Sequence, residues 1–358
     1  MLSPREGVRA LPSYHPPLAG RDGLRLDFNE NTVGCSPRVL ERLRQVGPEQ
    51  LARYPEREPV EAGVADFLRV AAAELLLTNG LDEAIHLLCE TYLESGDEAL
   101  IVVPTYSMYR IYMMAAGAQV IGVPAGEDFV FPGDDVCNRI TPRTRLIAIA
   151  NPNNPTGTVA PSDDLRRIAR AAPDAAVLVD EAYFEFYGQT LLAARGELPN
   201  LFLGRTFSKA YGLAGLRMGV LIGDAEQMRA LRRVSSPYNV NAVALACLPE
   251  ALSDQAYTER YVREVCESRA RLERTLDASG IQFWPSQANF VLARVGAAAS
   301  FVACMRRRGI LVRDRSSDHR CEGCVRITLG PRAHADRLLT ALQETCEELG
   351  IAQGAPWR

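Results

Sequence analysis

The 358-residue chain lacks a long hydrophobic run, an excess of basic charge and an even set of cysteines. No stretch approaches the roughly 20 consecutive apolar residues of a membrane-spanning helix, and the N-terminus carries proline and charge where a secretory signal would be apolar. The net charge of −4 offers no basic field to nucleic acid or an anionic membrane. These absences predict a cytoplasmic protein whose partners are small molecules.

The nine cysteines are scattered singly, except for Cys321 and Cys324. This distribution predicts reduced thiols rather than a disulfide framework. A metal or redox pair is conceivable at Cys-Glu-Gly-Cys, but no second such pair accompanies it, and a tight turn is the preferred interpretation. The four histidines show no metal-ligand spacing, so no metal site is predicted.

Lysine is nearly absent, because 39 of the 40 basic residues are arginine and Lys209 is the single lysine. A composition that uses arginine wherever a surface cation suffices would have replaced Lys209 as well if only its charge mattered. Arginine stays protonated and forms no imine, whereas a buried lysine amine shifts its pKa and condenses with carbonyl groups. We therefore predict that Lys209 is used for its primary amine, although composition alone leaves open that one lysine survived by chance.

Short apolar runs alternate with helix-period stretches through most of the chain, a pattern typical of parallel strands joined by crossover helices. Seven strands are predicted, over 74–78, 99–103, 119–123, 145–150, 176–180, 201–205 and 217–222. Helices are predicted over 82–94, 106–116, 162–171 and 225–234, with Asp82 and Ser162 as N-caps. The pattern predicts a large doubly wound, mostly parallel α/β domain that binds its ligand at the carboxyl ends of the strands.

The chain is predicted to divide into an N-terminal arm (1–28), a large domain (29–240) and a smaller α+β domain (241–358). The arm contains four prolines and little periodicity, which indicates a segment that packs on a neighbour. The last part combines a long charged helix over about 256–278 with a strand over 289–294, further short strands and a terminal helix from Arg332.

Two segments offer groups that bind phosphate. Thr206 and Ser208 follow a predicted strand and place hydroxyls beside Lys209, and Arg217 lies beyond the next glycine-containing turn. Hydroxyls and a guanidinium form a phosphate site from which the amine can reach an aldehyde. In the second segment, residues 78–83 run from a strand through a glycine into a helix, whose free N–H groups favour an anion. An ordinary strand-to-helix turn is the alternative for that segment.

Other strand ends offer groups for a flat heteroaromatic ring. Asp180 ends an apolar strand, where a carboxylate needs a cationic partner such as a protonated ring nitrogen. Tyr183 and Asn154 can donate to a phenolate oxygen, and Tyr106 offers a flat face for stacking. Singly, each residue has an ordinary structural interpretation as a cap, a core side chain or part of a turn. Together, the phosphate, aldehyde, pyridine and phenolate sites describe pyridoxal 5′-phosphate.

The same segments resemble the fold-type I aminotransferases, which depend on pyridoxal phosphate, and within them the histidinol-phosphate aminotransferase family. The matching motifs lie at 26–31, 53–55, 79–83, 104–106, 153–157, 179–183, 206–209, Arg217, 311–314 and 325–328. The resemblance therefore extends nearly from end to end, and it implies the fold of these enzymes.

The resemblance implies a role for each cofactor-site residue. Lys209 would carry the cofactor as an imine and act as the catalytic base, Asp180 would hold the pyridinium, and Tyr183 and Asn154 would meet the ring oxygen. The cofactor phosphate would be bound by Thr206, Ser208, Arg217 and the backbone at Leu81 and Asp82, with Tyr106 beside the ring.

The resemblance also implies the substrate and the assembly. Arg326 and Arg313 would bind the anionic end of the substrate, and Tyr14 on the arm is a further substrate-binding candidate. Tyr54 would reach the cofactor phosphate of the partner subunit, which implies a homodimer with a shared active site. The implied reaction transfers the amino group of L-histidinol phosphate to 2-oxoglutarate, in histidine biosynthesis.

Alternatives remain open at this stage. An aromatic amino-acid aminotransferase on the same scaffold is the nearest alternative function, and a related phosphothreonine decarboxylase, which would break the bond from Cα to the carboxylate, is the second. A ligand-sensing regulator would need a DNA-binding unit that the short arm does not provide. Salt bridges on an exposed sheet are the alternative interpretation of Arg313 and Arg326. Leu81 stands where the family often has a small residue, and Thr-Val-Gly-Cys at 32–35 replaces a frequent Pro-Tyr-Gly-Pro. Both departures concern substrate fit more than chemistry.

Overall fold

The computed structural model describes residues 2–9, 11, 20 and 22–351, so the candidate Tyr14 lies outside the described residues. The strands are β1 (Leu24–Arg25), β2 (Leu75–Asn79), β3 (Glu98–Val103), β4 (Gln119–Pro124), β5 (Thr144–Ala150), β6 (Ala176–Asp180), β7 (Leu201–Thr206), β8 (Met218–Ile222), β9 (Phe283–Trp284), β10 (Phe290–Arg294), β11 (Ile310–Leu311), β12 (Arg313–Asp314) and β13 (Cys324–Thr328).

The α-helices over the same ranges are α1 (Glu6–Arg9), α2 (Pro37–Arg44), α3 (Pro48–Ala52), α4 (Glu58–Leu68), α5 (Gly80–Tyr92), α6 (Ser107–Ala116), α7 (Gly133–Asn138), α8 (Ser162–Ala171), α9 (Phe184–Tyr187), α10 (Ala225–Val234), α11 (Ala242–Ser253), α12 (Gln255–Ala278), α13 (Ala298–Arg307) and α14 (Arg332–Leu349). Among the described helices, none is long and apolar enough to cross a membrane.

The seven predicted strands form one central sheet in the order β2-β8-β7-β6-β5-β3-β4. Six strands run in one direction, and β8 is antiparallel to both of its neighbours. Strands β6 and β7 are buried along their whole length, as expected for parallel strands covered by helices on both faces. The prediction of a doubly wound, mostly parallel α/β fold is therefore confirmed.

The reversed direction of β8 was not predicted, and it follows from the short connection before it. Only 207–217 separate β7 from β8, and the regular structure they contain is a single 3₁₀ turn at Ala214–Leu216. A parallel pair needs a crossover of a dozen or more residues, usually with an α-helix. The short connection therefore returns the chain as an antiparallel strand that starts at the edge where β7 ends.

The predicted N-caps of two helices are wrong. Helix α5 starts at Gly80 with Asn79 as its N-cap, and α8 has Pro161 as its N-cap, so Asp82 and Ser162 lie inside the first turns. At α5 the reason is the positive φ of Gly80, 71°, which lets the chain pass directly from strand to helix. Asn79 makes no side-chain cap hydrogen bond, so the first N–H groups of α5 stay available.

The C-terminal third contains a second, antiparallel sheet in the order β12-β13-β10-β9. The long helix α12 contacts β10 and α14, and α13 packs on α14. Two of the short strands in this part pair differently, because β11 pairs in parallel with β1 while β12 pairs with β13. The end of the arm therefore pairs with its own chain, and α1 contacts α6. The domain boundaries at 28 and 240 stay a prediction.

Cys321 and Cys324 form the tight turn that the sequence predicts. The N–H of Cys324 donates to the Cys321 carbonyl oxygen at 2.9 Å, with Gly323 between them at a φ of 71°. Both side chains are buried, and all nine cysteines of the chain are free thiols. The turn closes the loop between β12 and β13.

Candidate active site

The candidate residues gather at one edge of the central sheet. Strands β2, β3, β5, β6 and β7 all end there, and each is followed by at least one candidate residue. The reversed strand β8 starts at the same edge, which brings Arg217 to the ends of the parallel strands. This is the position where doubly wound sheets bind ligands.

Lys209 extends from the segment after β7 into this cluster. Its Nζ donates to the carbonyl oxygen of Phe28 at 3.2 Å. Burial lowers the pKa of the Lys209 amine to about 8, and the positive charge of Arg326 acts in the same direction. The amine is therefore close to the point at which its neutral, nucleophilic form becomes abundant at physiological pH.

Asp180 is buried at the end of β6, and its described partners are neutral. Tyr109 donates its hydroxyl to Oδ2, and the N–H of Ala182 donates to Oδ1 at 2.9 Å. Burial raises the pKa of the Asp180 carboxyl to about 6. A buried carboxylate with neutral partners favours a cation beside it, and a protonated pyridine nitrogen would supply one.

Tyr109 is a site residue that sequence reasoning missed. It lies on α6 three residues after Tyr106, so both rings share one face of the helix, edge to face at 5.7 Å. Its ring is fully buried and its hydroxyl binds Asp180. The helical spacing places it beside Tyr106, but only the tertiary structure shows that its hydroxyl meets Asp180 at the end of β6.

The phosphate-binding candidates lie together. The Thr206 hydroxyl donates to Ser208 Oγ at 2.9 Å, and the Ser208 N–H donates to Thr206 Oγ1 at 3.2 Å. Arg217 Nη2 donates to Asp82 Oδ2 at 3.0 Å, and the Tyr106 hydroxyl donates to Asp82 Oδ1 at 2.8 Å. Hydroxyls, a guanidinium and the N-terminus of α5 therefore lie at the same edge of the sheet, and this set of groups suits a phosphate dianion.

Two glycines allow Arg217 and the start of α5 to approach closely at this edge. A Cβ built on Gly80 would lie 2.4 Å from Arg217 Nη2, and one on Gly219 would lie 2.8 Å from the Leu81 nitrogen. The Leu81 side chain packs on the opposite side, against Gly204, whose Cβ would lie 2.6 Å from Leu81 Cδ1. The leucine that departs from the family pattern is therefore accommodated by a glycine of β7, away from the free N–H groups.

Replacing Gly80 with alanine is expected to weaken cofactor binding by about tenfold or more, because the new methyl group displaces the Arg217 guanidinium. The positive φ adds a cost of about 1 kcal/mol to folding. The measurement is an absorbance titration of the cofactor-free protein with pyridoxal phosphate. Gly63→Ala is the matched control, because nothing lies within 4 Å of its added Cβ. Equal affinities of the two variants would contradict this role of Gly80 in cofactor binding.

Tyr183 and Asn154 are each engaged by a residue from elsewhere in the chain. The Tyr183 hydroxyl accepts from Asn29 Nδ2 at 2.8 Å, and burial raises the pKa of this phenol. Asn154 Oδ1 accepts from Arg326 Nη1 at 2.5 Å. Asn29 belongs to a matched motif but was not predicted as a site residue. Its φ of 56° and its bond to Tyr183 place it in the cluster.

Arg313 and Arg326 lie directly opposite each other on β12 and β13. Arg326 is 5% exposed and donates from Nη2 to the carbonyl oxygen of Asp27 at 2.7 Å. Burial lowers the pKa of the Arg326 guanidinium to about 10. In the described residues, Arg326 Nε and Arg313 Nη1 are buried without a hydrogen-bond partner. Buried donors of this kind need an acceptor, and an anionic ligand would supply it.

Tyr54 is the candidate that lies apart from this cluster. It is 77% exposed, and its ring stacks on Tyr238 with centroids 4.2 Å apart.

The remaining described candidates fit pyridoxal phosphate by their chemistry. They provide an amine with a lowered pKa, a buried carboxylate, hydrogen-bonding groups for the ring oxygen, and hydroxyls, a guanidinium and a helix N-terminus for the phosphate.

Known proteins match this chain over nearly its whole length. The profile of the aminotransferase class I and II family matches residues 21–342. The histidinol-phosphate aminotransferase of Thermococcus gammatolerans is 36% identical over 333 residues, which are 91% of this chain and 93% of that protein. The protein of the same name from Paracoccus denitrificans is 36% identical over 350 residues, 94% of each chain.

A solved structure supports the same assignment. The crystal structure of histidinol-phosphate aminotransferase from Sinorhizobium meliloti, in complex with pyridoxal 5′-phosphate, has a TM-score of 0.86 at 26% sequence identity. The match covers 96% of this chain and 97% of that one. The chain belongs to the aminotransferase class I and II family and, within it, to the histidinol-phosphate aminotransferases.

Proposed function

We propose that the protein transfers the amino group of L-histidinol phosphate to 2-oxoglutarate, giving imidazole acetol phosphate and L-glutamate. The cofactor is pyridoxal 5′-phosphate. The observation that carries the proposal is the facing pair Arg313 and Arg326, each with a buried N–H group that has no acceptor among the described residues. The positive charge of Arg326 also acts on Lys209. A reactive amine beside buried arginine N–H groups suits an amino donor with an anionic end.

The cofactor-holding roles follow from the partners of each residue. Asp180 would accept a hydrogen bond from the ring nitrogen and keep it protonated. Tyr109 would orient that carboxylate through its hydrogen bond to Oδ2. Tyr183 and Asn154 would bind the ring oxygen. When bound, the cofactor supplies an electron-withdrawing ring for the electron pair left on the donor's Cα. The carboxylate of Asp180 increases that withdrawal by keeping the nitrogen cationic.

Lys209 would serve as the proton carrier of the reaction. Its Nζ would take the proton from the donor's Cα and return it on the cofactor side, which is general base and then general acid catalysis. An amine with a pKa of about 8 suits both roles, because its neutral and charged forms are both populated near neutral pH. The positive charge of Arg326 contributes to this lowered pKa.

The arginine pair would serve both halves of the reaction. A guanidinium presents parallel N–H groups that bind a phosphate or a carboxylate in the same geometry. Arg326 would stay in place, because its Nη atoms are held by Asn154 and the Asp27 carbonyl while Nε is unpaired. The phosphate of the donor and the carboxylate of glutamate would occupy this site in turn.

A homodimer that completes the active site is part of the proposal. Tyr54, Tyr238 and Leu51 are exposed aromatic and apolar side chains, and exposed patches of this kind commonly mark protein interfaces. A second copy of the chain would cover them and receive Tyr54 at its cofactor phosphate. The cytoplasm is the proposed site of action, and the nine free thiols support a reducing compartment.

Mixing two damaged variants tests the shared site. Lys209→Ala and Tyr54→Ala are each expected to be nearly inactive, but a mixed dimer contains one site with both native residues. Random exchange makes about half of the dimers mixed, so about a quarter of the sites should recover activity. The measurement is the transamination rate after mixing, unfolding and refolding. No recovery would show that Tyr54 acts within its own subunit or not at all.

The donor itself is tested by the conversion of bound cofactor to its amine form, followed by absorbance. L-Histidinol phosphate is expected to react with a kcat/KM at least about tenfold above that of phenylalanine, because phenylalanine lacks the phosphate. A wide preference for phenylalanine would indicate an aromatic aminotransferase. Carbon dioxide release from phosphothreonine would indicate a decarboxylase, and inertness towards every donor would favour a ligand sensor.

A further inference from the structure

A third arginine lies beside the facing pair. The N–H of Arg315 donates to the Cys324 carbonyl oxygen at 2.9 Å, which continues the pairing of β12 with β13. Residues two apart in a strand share a face, so Arg315 lies on the same side as Arg313. The positive charges of Arg315 and Arg313 both help to lower the pKa of Arg326, after the larger effect of burial. Three guanidinium groups therefore converge on one region.

Asp318 is the carboxylate that pairs with this third arginine. Arg315 Nη2 and Asp318 Oδ2 form an ion pair in which the two side chains are only 15% and 22% exposed. The pair is local, because the N–H of Asp318 donates to the Arg315 carbonyl oxygen at 2.9 Å in a tight turn. The charges of Arg326 and Arg313 also act on Asp318. Asp318 is thus an anion held next to the substrate arginines.

The buried arginine donors around Asp318 without a partner outnumber the acceptor atoms without one. Over the described residues, Arg313 Nη1, Arg315 Nε and Arg326 Nε are buried without a hydrogen-bond partner, and among the Asp318 oxygens Oδ2 alone is in the same position. These atoms lie on three side chains that share the Asp318 carboxylate as a nearby negative charge. A phosphate monoester brings three acceptor oxygens and a charge of about −1.5 to −2 at pH 7, whereas a carboxylate brings two oxygens and one charge. The three buried arginine donors match the phosphate better.

We propose that Arg315 is a third binding residue for the donor's phosphate, and that Asp318 takes the place of that phosphate when the site holds a carboxylate or nothing. This inference rests on the proposed function and deepens it. The active site must accept a dianion in one half-reaction and a monoanion in the other. When the phosphate binds, Arg315 pairs with it instead of with Asp318. The positive charge offered to the ligand is therefore larger for the dianion than for the monoanion.

The first test separates the two half-reactions in the holoenzyme. Arg315→Gln is expected to lower kcat/KM for L-histidinol phosphate by about 10- to 100-fold, the loss of one charge-assisted hydrogen bond. The half-reaction with glutamate should change by less than about twofold, because Arg313 and Arg326 remain for its carboxylate. Arg271→Gln is the matched control, since it removes an arginine paired with Asp336 on the surface. Equal losses in both half-reactions, or no loss in either, would overturn the inference.

The second test uses inorganic phosphate and does not depend on the identity of the donor. Phosphate is titrated into each holoenzyme by calorimetry and used as an inhibitor of the glutamate half-reaction. Asp318→Asn should bind phosphate about 3- to 10-fold more tightly than the native enzyme, because Arg315 loses its competing anion. Arg315→Gln should bind it correspondingly more weakly. Unchanged phosphate binding in both variants would overturn the inference.

The two tests distinguish failure of the inference from failure of the proposed function. A native enzyme that ignores L-histidinol phosphate but reacts with another donor refutes the proposed substrate. The calorimetric comparison of Asp318→Asn with Arg315→Gln still decides whether these residues compete for a phosphate.

Discussion

Replacement of Lys209 by arginine is expected to lower the transamination rate by roughly 10⁴-fold or more. Arginine keeps the positive charge at this position, but it neither forms an imine nor gives up a proton near neutral pH. The rate is measured with L-histidinol phosphate and 2-oxoglutarate. Borohydride reduction followed by peptide mass spectrometry reports the covalent link independently of activity.

The composition makes this experiment unusually clean, because Lys209 is the only lysine among the 40 basic residues. In the native protein, borohydride should fix pyridoxal phosphate to the peptide that contains Lys209. A double variant, Lys209→Arg with Arg271→Lys, moves the single lysine to an exposed position paired with Asp336. It should carry no fixed cofactor. A side chain still labelled in Lys209→Arg would refute the assignment.

Asp180→Asn is expected to lower the same rate by roughly 10²- to 10⁴-fold, because an amide leaves the buried pyridinium without its counterion. Tyr109→Phe should have a smaller effect. It removes the hydroxyl that orients Asp180 and should lower the rate about tenfold. Both are measured as single turnovers of the bound cofactor with saturating donor. An Asp180→Asn enzyme within a factor of ten of the native rate would contradict the proposed ion pair.

The cofactor-free protein offers a second readout for Asp180, with a defined sign. Burial raises the pKa of this carboxyl to about 6 in the folded state, so the folded chain holds the proton more tightly than the unfolded chain. Asp180 therefore costs stability progressively as the pH rises from about 4 through 6, to a total of about 3 kcal/mol. Asp180→Asn removes that cost. Urea unfolding of both proteins should show a stability difference in favour of the variant that grows over this pH range, and a constant difference would contradict the raised pKa.

Several features of the fold and of the site could be predicted from the sequence. Alternating apolar runs and helical stretches predicted all seven strands of the central sheet, because burial on both faces requires continuous apolar residues. The rule that parallel strands share one carboxyl edge then predicted that Asp180, Tyr183 and the Lys209 segment lie together. The scarcity of lysine predicted Lys209 as the candidate reactive amine without any structural information.

Hydrogen-bond partners could not be predicted in the same way. The Tyr109–Asp180 and Asn29–Tyr183 pairs join residues 71 and 154 positions apart. Periodicity shows that a side chain is buried, but not which distant side chain it meets. Those meetings depend on the tertiary packing of distant segments and, for Asn29, on its positive φ.

The sequence alone determined the fold class, the single lysine that is the candidate for an imine and the set of strand ends that carry polar groups, because these depend on local pattern and composition. The tertiary structure alone decided the direction of β8, the engagement of Asp82 by Arg217 and Tyr106, and the convergence of Arg313, Arg315 and Arg326 around Asp318. The physical reason is that strand direction depends on connection length, while contacts between distant charges depend on packing and register.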